Sequence, residues 1–376
     1  MRLLLIHPAH DFSTADLCRG IHGALAAQGV ELVDYRLSSR LEVINSGLRA
    51  SWIKPEPPSM DLIADLASQG LAHLAAISEP DWALIISGMG LHPNAVYALR
   101  RIGLRVACWF TESPYNRAQE RRFAALCDIA FINERSELAA YQAAVAPGGR
   151  AVYLPHAYDP TVHRPDGPLP IDADRADVLF VGTGFENRQI MCENVDWTAL
   201  GARPGGVHLR GLWPGVYVPN HLATVVQQGC IANEETARLY RGAKVMINLH
   251  RGHPTAESMN PRTLEVAACG AFQVADRRAE VADVFGDSVP LFDADDPWEL
   301  AFLLRRALAD PPWRTACAAE ARRRVAPHTF EARARRILET LSGYDGESGG
   351  EVTPFGAATS EYVPSTASPT PAAVAA

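Results

Sequence analysis

Short apolar runs alternate with amphipathic stretches along most of this chain. Runs rich in Leu, Ile and Val at 2–6, 31–35, 82–87, 104–110, 128–132 and 151–154 read as buried parallel strands. Between them, 13–28 and 60–77 carry helical periodicity, with Ser13 as a cap and Gly29 as a stop. Residues 36–58 are polar, end in three prolines and read as a long loop. Three prolines within 155–165 (Pro155, Pro160, Pro165) forbid a regular element and mark a crossing into a second half. There, strands are expected at 177–181, 207–211, 244–249, 271–275 and 289–292. Helices are expected at 233–240, 281–286, 296–308, 313–325 and 329–341, with Asn233 capping the first and a turn at 213–217 before it. Beyond about Gly343 the chain turns to Gly, Ser, Thr, Pro and Ala and reads as a disordered tail.

The alternation of strand and helix gives an α/β class with two doubly wound domains. The expected boundaries are 1–160, 161–325, a C-terminal helix 326–343 and a tail 344–376. The stretch Lys244–Ala275 organises the second half as strand, loop, helix and strand. Asn260 followed by Pro261 is a helix start, since Asn can accept from free backbone N–H groups and Pro wastes none. Gly270 stops that helix.

Composition narrows the function classes. A net charge of −8 argues against a general polyanion-binding surface. The seven cysteines are odd in number and scattered without a C-x-x-C pair, so neither a disulfide framework nor a structural zinc site is expected. No apolar run approaches the roughly 20 residues of a membrane span. The first strand ends at His7-Pro8, too early for a secretory segment, so the cytoplasm is the default location.

Candidate chemistry gathers at loop–helix junctions. The start of the helix at Asn260–Thr263 offers N–H groups and a positive dipole end to an anion such as phosphate. Glu257 and Glu265 flank it, and a carboxylate can hold sugar hydroxyls. Such acids are ordinarily solvated, but Leu264, Val266, Ala267 and Ala268 surround Glu265 with apolar neighbours. Gly182-Thr183-Gly184 after a strand suits close approach of a phosphate, with Arg188 as a cation that can pair two oxygens. His250 and Arg251 follow a strand towards the same region. Glu112 stands at the carboxyl end of a parallel strand, where open α/β sheets bind ligands, unless Ser113-Pro114 is simply a helix start. Gly88-Met89-Gly90 is either a tight turn or a close approach to substrate. His156 lies in the proline-rich crossing. Asp172-Ala-Asp174 and Asp293-Ala-Asp295 match a metal-binding pattern but sit in the crossing and before a helix, and no metal is expected.

The spacing Glu257-x7-Glu265 followed by AACGAF resembles the E-x7-E signature of retaining GT-B glycosyltransferases. More narrowly, SMNPRTLEVAACGAF resembles the CgeB-like (spore-maturation) branch with its "glycosyl transferases group 1" C-terminal domain. The resemblance covers 177–310 well and the first half loosely. It implies the GT-B fold, with two Rossmann-like domains facing a cleft, and metal-independent sugar transfer with retention from a nucleotide-sugar, UDP-sugar being the favoured donor. No cofactor is implied. Glu257 would then contact the donor sugar and Glu265 the ribose. Gly182, Gly184, Arg188, His250, Arg251, Ser258, Met259, Asn260, Arg262 and Thr263 would complete the donor site. Glu257, His156 and Glu112 are the catalytic candidates. In this resemblance, 111–115 takes the place of an acid-rich loop, 155–165 that of the hinge, with Ala157 where Gly is usual, and Asn248-Leu-His250-Arg251 that of an Asn-x-His-Arg run.

The acceptor is open between a glycan, a protein and a modified DNA base. The last would need a basic stripe, for which Arg117, Arg121 and Arg122 form the only cluster in the first half. An epimerase or phosphorylase on the same fold stays open, the latter requiring a lysine where only Lys244 is offered. So does a non-catalytic nucleotide-sugar binder. Oligomeric state is not legible.

Overall fold

The computed structural model describes residues 1–9, 14–54, 56–214 and 221–345, without the side chains of Arg117 and His221. The cap expected at Ser13, the Gly215–Tyr217 part of the expected turn and residues 346–376 of the tail lie outside these. The chain divides into two compact units, Met1–Leu154 with Ala334 onwards, and Pro155–Arg333.

In chain order the first unit contains β1 (Arg2–Ile6), α1 (Thr14–Ala27), β2 (Glu31–Tyr35), α2 (Leu37–Ser51), α3 (Met60–Ser68), α4 (Leu71–Ser78), β3 (Trp82–Ile86) and α5 (Pro93–Arg101). It continues with β4 (Arg105–Phe110), α6 (Arg117–Ala124), β5 (Ile129–Ile132), α7 (Leu138–Ala144) and β6 (Arg150–Tyr153). Its six strands are all parallel in the order β2-β1-β3-β4-β5-β6. Strands β3 and β5 are buried along their whole length, as expected of runs covered on both faces.

Three local expectations fail here. The "loop" 36–58 contains α2, because Leu37, Leu41 and Ile44 recur at helical spacing and pack on the core while the rest of the segment stays polar. The single helix 60–77 is two, broken at Gly70, whose φ of 85° only glycine adopts easily. Ser113-Pro114 does not start a helix: that peptide is cis, and α6 begins after Asn116.

The second unit contains β7 (Val178–Val181), α8 (Glu186–Glu193), β8 (Val207–Gly211), β9 (Val226–Gln228), α9 (Asn233–Gly242), β10 (Val245–Asn248), α10 (Pro261–Ala268), β11 (Gln273–Asp276), α11 (Ala279–Phe285) and β12 (Leu291–Phe292). Helices α12 (Pro297–Ala309) and α13 (Pro311–Val325) follow, and α14 (Phe330–Ser342) runs across the unit boundary. Its sheet is again all parallel, ordered β12-β11-β10-β7-β8-β9. The edge strand β9 was not expected, being three residues long and two of them glutamine. Asn233 is the first residue of α9 and not its cap, which is Ala232; its side-chain oxygen faces His163 Nε2 at 3.2 Å.

The chain enters and leaves this unit at one place. Tyr158 lies in a parallel bridge with Thr329, its N–H donating to His328 O (3.1 Å) and its carbonyl accepting from Phe330 N–H (3.2 Å). Arg333 donates to Pro155 O (2.8 Å) and His156 O (2.9 Å). Arg241 from α9 holds the segment between, donating to Pro168 O (2.8 Å) and Arg164 O (3.1 Å). From Ala334 the chain belongs to the first unit, where Tyr344 meets Trp82 edge-on at 5.5 Å and donates to Gly148 O.

Among the described residues no helix is long and apolar enough to cross a membrane. None of their His, Cys, Asp and Glu side chains form a group of three placed to hold a metal.

Candidate donor site in the second unit

The carboxyl ends of β7, β10 and β11 and the start of α10 bring most of the expected residues together. Asn260 caps α10, its Oδ1 accepting from Thr263 N–H at 3.0 Å, with Pro261 in the first turn. Beneath that cap lies a buried polar network. Asn248 Nδ2 donates to Thr263 Oγ1 (2.6 Å), Asn260 Nδ2 donates to Asn248 Oδ1 (2.8 Å), and Gln273 Nε2 donates to Thr263 O (2.7 Å). Thr263 and Met259 are therefore internal. Thr263 is bonded into the network, and Met259 packs with Leu264 and Phe285 while its N–H donates to Glu280 Oε2 at 2.7 Å.

Three guanidinium groups gather around two phenylalanine rings. Arg262 lies over Phe180 at 5.1 Å and donates to Asn248 Oδ1 at 3.2 Å. Arg188 is buried over Phe180 and Phe185 and donates to Thr183 O at 2.7 Å. Arg251 lies over Phe185 at 5.0 Å. Gly182 makes room for this: at φ 148° a Cβ there would collide with the Arg262 guanidinium, and one at Gly184 would enter the Trp213 ring. Asn187 Nδ2 donates to His250 O (3.0 Å), tying the start of α8 to the loop after β10. With a helix N-terminus beside them, these cations make a region of positive potential suited to a dianion.

The two acids of the E-x7-E pair differ in setting. Glu257 is exposed in the loop, with its carbonyl accepting from Glu280 N–H at 3.0 Å. Glu265 is half-buried, and the Tyr240 hydroxyl donates to its Oε2 at 3.5 Å. Ser258 is buried between them.

His250 is buried against Asp276. Its N–H donates to Asp276 Oδ1 at 2.7 Å, and its Nδ1 meets the same oxygen at 2.6 Å. Arg278 approaches Asp276 at 3.6 Å and donates to Ala256 O (2.8 Å) and Arg251 O (3.1 Å), so it shapes the 251–256 loop. Burial opposes ionisation of Asp276, but His250 and Arg278 outweigh it and hold the carboxyl below its ordinary range. Burial pushes the His250 ring below its ordinary pKa against the pull of Asp276. His156 is also buried, where an exposed loop imidazole was the plain alternative. Burial, then Arg333 and His250, lowers it to about 4, so it is neutral at pH 7.

Glu112 lies in the first unit, at the carboxyl end of β4. Its N–H donates to Glu120 Oε1 (3.0 Å), and Tyr141 Oη donates to Glu120 Oε2 (2.7 Å). Burial, with the charge of Glu112 adding to it, raises Glu120 to about 7. Lys244 is paired with Asp177 at 2.8 Å, at the amino ends of β10 and β7, the opposite end of the sheet from His250. Asp296, next to the declined Asp293-Ala-Asp295 pattern, caps α12.

Sequence reasoning missed Asp276, Arg278, Glu280 and Glu120. The signal for the first was present: an acid directly after a buried parallel strand, the rule applied to Glu112. Glu120, between Gln119 and two arginines, carries no such signal.

Residues 188–339 match the family model described as glycosyl transferase-like. The spore protein CgeB of Bacillus subtilis is 26% identical over 214 residues, covering 53% of this chain and 64% of that protein. The chain thus spans somewhat less than two thirds of that relative's length. Sucrose-phosphate synthase from Thermosynechococcus elongatus superposes with a TM-score of 0.66 at 16% identity, covering 91% of this chain and 98% of the other. Anabaena HepE in complex with UDP and glucose gives 0.59 at 12% identity over 91% and 99%. An E. coli trehalose-6-phosphate structure bound with UDP-2-fluoro glucose gives 0.60 at 14% identity over 91% and 99%. The two parallel six-stranded sheets with their helices have the architecture of the GT-B fold, and residues 188–339 match a glycosyl transferase-like family.

Proposed function

We propose that this chain transfers a sugar from a nucleotide-sugar donor, UDP-sugar in the first instance, to an acceptor hydroxyl or amine, with retention at the anomeric carbon. One observation carries the reading: Arg188, Arg251 and Arg262 converge at the Gly182–Gly184 loop beside the start of α10. As the bond from the sugar C1 to the diphosphate oxygen breaks, its electron pair stays on the leaving diphosphate. Fixed guanidinium groups and a helix N-terminus stabilise that charge where it develops. Glu265, steadied by Tyr240, would hold the ribose, and Glu257 would reach the sugar. The acceptor atom forms the new bond to C1 and gives its proton to an oxygen of the leaving diphosphate. Two solved relatives by fold, holding UDP with glucose and UDP-2-fluoro glucose, support a uridine nucleotide.

The test is a thermal-shift series with UDP-, GDP-, ADP-, dTDP- and CMP-sugars on wild type and Glu265→Ala. A ligand that binds only the native state must raise the melting temperature. A shift with UDP-sugars alone, reduced in Glu265→Ala, supports the reading. No shift with any of the five refutes it.

A further inference from the structure

Asp276 is the last residue of β11, and His250 stands just beyond β10, the strand paired with it. Both backbone and ring of His250 are fixed by the same carboxylate oxygen (2.7 and 2.6 Å), and Arg278 approaches its other oxygen. A carboxylate can only accept, so the contact at 2.6 Å assigns the ring proton to Nδ1. The other nitrogen, Nε2, then carries a lone pair and nothing to donate. It is buried, and among the described residues no group hydrogen-bonds to it. Buried acceptors ordinarily have a partner. The charged and titratable neighbours that act on this ring are Arg188 and Arg278, while His156 acts from the crossing segment.

An acceptor in this position discriminates between the two halves of a nucleotide-sugar. An ionised phosphate has only acceptor oxygens and gains nothing from Nε2. A sugar hydroxyl has a proton to give. We propose that Asp276 is a positioning residue that presents the His250 Nε2 lone pair to a hydroxyl of the donor's sugar. The inference rests on the nucleotide-sugar reading above. It makes His250 a contact for the sugar and leaves the diphosphate to the three arginines. Asp276 touches no substrate and acts through the ring it orients.

The test pairs two ligands on the full chain. Binding of UDP and of UDP-glucose is measured by titration calorimetry for wild type, His250→Phe, His250→Gln and Asp276→Asn. His250→Phe removes the acceptor and is expected to weaken UDP-glucose about five- to tenfold, the worth of one neutral hydrogen bond, while changing UDP by less than about twofold. His250→Gln, which keeps an acceptor oxygen, regains most of the loss. Nitrogen NMR of imidazole-labelled wild type is expected to show Nδ1 protonated and Nε2 bare, with the Nε2 resonance moving on adding UDP-glucose and not UDP. In Asp276→Asn that tautomer preference weakens. Equal weakening of both ligands by His250→Phe, a protonated Nε2, or an Nε2 resonance unmoved by UDP-glucose, as a bound water alone would give, overturns the inference. A wild type that binds neither ligand overturns the donor reading, and this inference with it, even if the tautomer is as described.

Discussion

Glu120 sets up a difference in pH response that a single amide can erase. The side chain is only 4% exposed, and burial lifts its pKa from an ordinary 4.5 to about 7. The folded state therefore keeps a proton between about pH 4.5 and 7 that the unfolded chain has released. Stability from this group is fully present below the lower value, falls as pH rises through that window, and levels off above the upper one. A rise of about two and a half pH units corresponds to about 3 kcal/mol lost across the window, at about 1.4 kcal/mol per unit. Glu120→Gln cannot ionise, yet its amide oxygen can still accept from Glu112 N–H and its amide nitrogen can donate to Tyr141 Oη. Urea denaturation of both proteins at half-unit steps from pH 4.5 to 8.5 gives the comparison, because every other titrating group, His156 and His328 included, is common to the two. The variant is expected to gain on wild type by about 3 kcal/mol between the ends of the series, nearly all of it below pH 7.5. A difference that stays flat with pH, or grows as pH falls, refutes the reasoning.

Three further perturbations test the proposed donor site. Gly182→Ala places a side chain in the left-handed region against the Arg262 guanidinium, and is expected to cost about 1–3 kcal/mol and weaken UDP binding, read by thermal melt and titration. Asn260→Ala removes the cap of α10 and should cost about 1 kcal/mol, with Asn260→Ser recovering most of it; equal melting temperatures for all three proteins would rule out the capping role. Asn248→Leu takes the shared acceptor from the Asn260 amide and Arg262 and the donor from Thr263 Oγ1, and should destabilise by about 2–3 kcal/mol in urea denaturation, more than the loss of any one of its bonds.

The strands were legible because burial on both faces writes itself as continuous apolar runs, as at Val178–Val181 and Ile129–Ile132. The start of α10 was legible because a cap is a local event: Asn260, Pro261 and Thr263 are neighbours in sequence. Helix α2 was not, since only one narrow stripe of it meets the core and the remaining positions look like a loop. The polar network was not, since Asn248 and Gln273 are far apart in the chain and pair only when β10 and β11 align. Glu120 reads as part of a charged helix surface, and only the fold turns it inward against Tyr141. Residues that act across strands leave no periodic trace, whereas residues that act along one element do.

The bridge between Tyr158 and Thr329, locked by Arg333 on Pro155 and His156, closes the second unit as an insert in the sequence of the first. Its two ends are stapled together by contacts of its own, so the insert does not depend on the flanking chain to bring them together. Such an arrangement is modular in the way that tolerated domain insertions are. A gene fragment encoding 155–333 holds both halves of the staple, whereas a cut at the proline-rich crossing near residue 160 would leave Pro155, His156 and Tyr158 on the wrong piece. The fragment left behind, 1–154 joined by a short linker to 334–345, would keep every strand of its sheet and the Tyr344 anchor on Trp82.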